Sequence, residues 1–217
     1  MEWITLNKIN QDWISILLFL NFILLSLTKW KYDRRFVSFF KSIDPSVYFN
    51  NYGNNLFFNR SFGLYILTFS LVNVSLFVIL TLKSYSILNV NKFQFLILLA
   101  FLLIITFLGQ IVGGFLGSLF GCKKEILIYN FNKLRLIFRI SILIFFILIL
   151  HKFYFFNNLI FLKITFFVTI AAYYTNSLSV IFNFLRTVNR GKVYFILYLC
   201  TLKITPWVYI YWLIKKF

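Results

Sequence analysis

An all-α, polytopic bundle of six transmembrane helices with both termini outside is the fold class this sequence predicts, on three observations. Of its 217 residues, 61% are hydrophobic and 12% charged, whereas soluble domains run at roughly 45–50% apolar and about 25% charged. The apolar residues gather into six stretches close to the length that crosses a bilayer. The basic residues fall between those stretches in an alternating pattern. Mean hydropathy is strongly positive, which excludes disorder. Two cysteines exclude a secreted disulfide scaffold, and eight glycines with two prolines exclude a collagen-like chain.

A crossing helix needs about 20 mainly apolar residues to span a hydrocarbon core of about 30 Å. The first span, 13–28, is short but uncharged, with Trp13 at its start and Trp30 just past its end, residues suited to the two interfaces. A cleaved signal peptide would need a basic leading region and a small-residue cleavage site. Glu2 and Asp12 outweigh Lys8, and Ser26-Leu27-Thr28-Lys29 is a poor site, so this stretch reads as a permanent helix. The second span is 64–82. The third, 93–120, is long enough to tilt or protrude. The fourth, 134–150, has an uncharged core only from Ile140 to Leu150, so Arg135 and Arg139 must snorkel toward headgroups. The fifth is 164–185 and the sixth 193–214.

Orientation follows from the Lys and Arg counts of the connecting segments, because basic loops are retained on the cytoplasmic side. From the N-terminal tail through five loops to the C-terminal tail the counts are 1, 6, 2, 5, 2, 3 and 2, and Lys203 lies inside the sixth span. The series alternates at every step, which places the odd-numbered loops inside and both termini outside, periplasmic in a bacterial inner membrane. An organellar inner membrane is the alternative location. The net charge of +17 is thereby explained without nucleic acid, since no polar stretch is long enough to fold as a basic soluble domain.

The longest polar segment is the basic cytoplasmic loop 29–63. Phe36, Phe39, Phe40 and Ile43 recur at helical spacing beside Arg34, Arg35 and Lys41, the pattern of an interfacial amphipathic helix with aromatics in the acyl boundary. Lys31, Arg34, Arg35 and Lys41 are the expected contacts with anionic phospholipids.

The run Gln11-Asp12-Trp13-Ile14-Ser15, the following Lys31-Tyr32 and Arg35-Phe36, and the closing stretch Tyr194 to Pro206 with its Tyr198-Leu199-Cys200-Thr201-Leu202 core carry a resemblance. Over essentially the whole chain they resemble the Bacteroidetes integral membrane family catalogued as domain of unknown function 4271. The resemblance implies an inner-membrane location and supplies no activity. That family more often carries an acidic residue at the place of Lys203, so it implies no role for this lysine.

Two constellations lie within the spans. Gly109, Gly113, Gly117 and Gly121 recur every fourth residue with Gly114 alongside, a groove where another backbone can approach closely, either from this chain or from a partner. Lys203 sits at the middle of the sixth span, three residues before Pro206, where a charge costs about 2.5 to 3.5 kcal/mol on insertion scales and demands a partner. None of the five acidic residues falls within a span, so the acceptor is expected on a partner subunit's carboxylate or on Asn21, Asn73 or Asn176. Lys203, Pro206, Gln110, Asn176 and Asn183 are the residues from which a polar mid-bilayer path could be built.

Catalytic sets are missing. His151 is the only histidine, and no His/Cys/carboxylate cluster, paired-Asp or Ser–His arrangement stands out. No cofactor is implied. The leading expectation is a non-catalytic subunit that packs into and stabilises a larger inner-membrane assembly with other membrane proteins. A small transporter or channel component is the alternative, and a lipid-modifying enzyme the third.

Overall fold

The computed structural model describes residues 12–41, 61–85, 92–119, 121, 123–155 and 158–187. Every element there is helical: α1 (Asp12–Lys31), α2 (Asp33–Lys41), α3 (Ser61–Ser84), α4 (Lys92–Leu119), α5 (Lys123–Phe153) and α6 (Leu159–Thr187). All but the nine-residue α2 are long and apolar enough to cross a membrane. In lipid only a helix satisfies its own backbone donors and acceptors within one segment, which is why uninterrupted apolar runs fold this way. The expected sixth span, with Lys203 and Pro206, lies outside the described residues.

Helix α3 is the hub. It packs against α1, α4, α5 and α6, and 67% of its apolar window is buried, against 6% for α4. Its small residues explain the position, since Gly63, Ser70, Ser75 and Ser84 are all buried and let neighbours approach closely. Ring contacts set the register. Trp13 meets Phe95 at 5.7 Å, Phe22 stacks on Phe145 at 6.5 Å, and Tyr32 meets Phe62 edge-on at 5.4 Å. The Tyr32 and Ser61 hydroxyls are hydrogen-bonded, so the end of α1 and the start of α3 lie at one level. Phe69 touches both Phe138 and Phe145, and Phe77 touches Phe166. Helices α3 and α5 thus run in the same direction, with α1 and α6 antiparallel to them.

Three expectations are corrected. The α2 aromatics do not simply face acyl chains: Phe39 is fully buried, meeting Phe62 at 5.8 Å, Phe131 at 5.3 Å and Phe138 at 5.9 Å. Phe36 adds an edge-on contact to Phe138 at 5.8 Å. The amphipathic helix is present, but part of its apolar stripe docks on α3 and α5 because facing aromatics gain edge-to-face contacts beyond area burial. Arg139 does not simply snorkel, since its Nη2 donates to the Phe40 carbonyl at 2.8 Å. The carbonyls that end a helix lack intrahelical donors, and the guanidinium supplies one to α2. Finally, Gly121 is not on the glycine ridge. Helix α4 ends at Leu119, and Gly121 adopts φ +68° in the turn before α5, the left-handed conformation that glycine adopts without a Cβ clash.

Candidate functional site

The described polar residues that the fold gathers at mid-depth are Asn21, Ser70, Asn73, Ser75, Ser141 and Thr169, all buried. Asn21 is the tenth of the 20 residues of α1 and Asn73 the thirteenth of the 24 of α3. The ring contacts between α1, α3 and α5 put the two asparagines in the same layer, because Phe22 and Phe145 stack there and Ser70 pairs with Ser141.

The hydroxyls in this layer are satisfied. Ser70 Oγ donates to the Ile66 carbonyl at 2.8 Å, Ser75 Oγ to Val72 at 3.0 Å and Thr169 Oγ1 to Phe166 at 2.9 Å, each within its own helix. Ser141 Oγ reaches across to the Ser70 carbonyl at 3.4 Å. The carboxamides differ. Asn73 is completely buried and neither its Nδ2 nor its Oδ1 has a hydrogen-bond partner, while Asn21 leaves its Nδ2 unpaired. A buried amide without a partner costs about 1–3 kcal/mol, so this layer opposes folding of the isolated chain.

The other sequence-derived residues scatter. Asn176 is exposed on α6 and donates Nδ2 to the Ala172 carbonyl at 2.7 Å. Gln110 is half-buried on α4. Asn183 lies on α6 with its side chain outside the described residues, as is that of Lys41. Gln110 and Asn176 therefore do not join the Asn21–Asn73 layer. The glycines divide: Gly113 and Gly117 are buried, while Gly109 and Gly114 would meet nothing within 4 Å if given a Cβ. A four-residue period brings 109, 113 and 117 near one stripe of the helix and turns 114 away by about a quarter turn.

At the α2 end the cations sit on rings. Lys31 Nζ is 5.7 Å from the Tyr32 centroid, Arg135 lies 5.8 Å over Phe131, and Arg139 lies 5.7 Å over Phe40. Arg135 also donates to Asn132 Oδ1 at 3.1 Å. Lys31 and Arg34 are exposed and Arg35 half-buried. Among the described residues no group of three or more His, Cys, Asp or Glu could hold a metal ion. The aromatic dock was not visible from sequence, where a phenylalanine facing protein and one facing lipid look alike.

Five apolar helices, a short amphipathic helix and a buried mid-depth polar layer define a multi-pass membrane protein. The chain belongs to the family described as domain of unknown function (DUF4271), whose model matches residues 14–214. No curated protein and no solved structure matches it.

Proposed function

We propose that the chain is a non-catalytic integral subunit of a larger inner-membrane assembly and that α4 is its contact face. The observation carrying this reading is that α4 is the least buried of the long helices, with Gly109 and Gly114 each open on a different side of it. A partner helix can bring its backbone close there and gain dispersion contacts that lipid tails do not match. Anionic phospholipids are the second class of partner, drawn to Lys31 and Arg34 beside α2, each attracted by about 1 kcal/mol when close to a charged surface. The alternation of basic loops supports both termini outside and α2 on the cytoplasmic face.

The test fills the face. Because nothing stands within 4 Å of either glycine Cβ position, Gly109→Ala and Gly114→Ala place their methyls without a clash, and the helix gains propensity over glycine. Purification in mild detergent is expected to recover partner proteins with the wild type and to lose them with the double variant, thermal unfolding of the chain itself being unlowered. A monodisperse wild-type monomer with no co-purifying protein would sink the proposal. The transporter alternative draws on Lys203 and Pro206, outside the described residues, and no observation here favours it.

A further inference from the structure

Helix α6 leaves most of its surface open, with only 11% of its apolar window buried, and part of that open surface is polar. Thr175, Asn176 and Ser179 are exposed, and their spacing of three and four residues sets them on one face. The hydrogen bonds of this face run inward. Thr175 Oγ1 shares its single proton between the Ala171 and Ala172 carbonyls, at 3.1 Å from each, and Asn176 Nδ2 donates to the Ala172 carbonyl at 2.7 Å. What remains to meet a neighbour is the lone pairs of Thr175 Oγ1 and the Asn176 Oδ1 acceptor. Hydrocarbon offers such oxygens nothing, and within a span polar side chains of this kind pair across helices. The face therefore calls for a strong donor at its own depth, and an ammonium, with three donors and no acceptor, is the side-chain group that fits.

We propose that this face of α6 is the docking surface for residues 193–214 of the same chain, and that Thr175 and Asn176 accept the Lys203 ammonium. Three features select this occupant over a partner's cation. Helix α6 ends at Thr187, so only five residues, 188–192, join it to that apolar stretch, and spans joined so briefly pack as antiparallel neighbours. Lys203 stands ten residues into the stretch and Ser177 ten residues before the end of α6. An equal rise per residue then brings Lys203 level with Asn176 and Ser177. Lys203 is also the single charged residue of the stretch, so one side has one donor to place and the other has an acceptor face at the same depth. The inference stands apart from the subunit reading, which rests on α4, and it withdraws Lys203 from the groups available to a partner.

Cross-linking of the full chain in mild detergent tests the docking. Cys200 lies three residues before Lys203 and Ser179 three residues beyond Asn176, on the facing sides of an antiparallel pair and at nearly one level. With Cys122 replaced by serine, Ser179→Cys is expected to be joined to the native Cys200 within one chain by a short bifunctional maleimide, read from the mass of the linked peptides. Val168→Cys, 61% exposed on the same side of α6 but three turns away, is expected to stay unlinked. A double-mutant cycle tests the ammonium. Asn176→Leu is expected to lower the unfolding temperature when Lys203 is present and to lose that effect in a Lys203→Met background. Linkage between two chains would assign the face to a second copy and overturn the proposal. So would the absence of linkage at 179, equal linkage at 168 and 179, or an effect of Asn176→Leu that is the same in both backgrounds.

Discussion

Asn73 carries the largest unmet polar demand in the described chain, with an amide donor and an amide acceptor both buried and unpaired. Replacing it with leucine, similar in shape and apolar, removes that demand. Asn73→Leu is therefore expected to stabilise the isolated chain by about 1–3 kcal/mol, measured by denaturant unfolding in mixed micelles. A fall in stability would show that the amide has a partner. The residue was legible as a polar group inside a span, and so was Asn21, but their shared depth was not. It depends on the stagger of α1 against α3, set by contacts such as Tyr32 with Ser61 that leave no periodic trace in either segment.

Among the elements, α2 departs furthest from the sequence reading. Its amphipathic pattern specifies a helix with one apolar stripe, yet apolarity does not decide whether that stripe meets lipid or protein. Phe62, Phe131 and Phe138 make the difference, by closing a ring of aromatic contacts around Phe39, the first two edge-on. Phe39→Ala is expected to cost about 3–5 kcal/mol and to expose α2 to limited proteolysis. Arg139→Gln, losing one exposed charged donor to the Phe40 carbonyl, is expected to loosen α2 with a smaller loss. Equal protease resistance in both variants and the wild type would show that α2 is held by other contacts. In α3 and α5 the apolar residues run all round the helix, so their buried sides had no sequence signature. The end of α4 illustrates the converse, since a glycine at 121 marks a stop as readily as it continues a four-residue repeat.

For the molecule as a whole, the span count came from length and hydropathy, and orientation from charge. Single cysteines at Trp30, 84% exposed at the α2 end, and Tyr154, 79% exposed at the other, test the orientation once Cys122 and Cys200 are replaced by serine. A membrane-impermeant thiol reagent applied from outside is expected to label the cysteine at 154 and spare the one at 30. The opposite pattern would invert the bundle. The unequal helix lengths carry a practical consequence as well. Helices α1 and α4 begin side by side, where Trp13 meets Phe95, but α4 runs on to Leu119 and α1 only to Lys31, a surplus of about 9 Å of helix beyond that contact. The α4–α5 hairpin thus stands beyond the end of α1 as a stalk capped by the turn at Gly121. A small globular protein spliced into that turn, with both its ends continued from the helices, would move with the bundle rather than swing from it. It would give a 26.0 kDa chain the rigid outboard mass that electron-microscopic particle alignment requires.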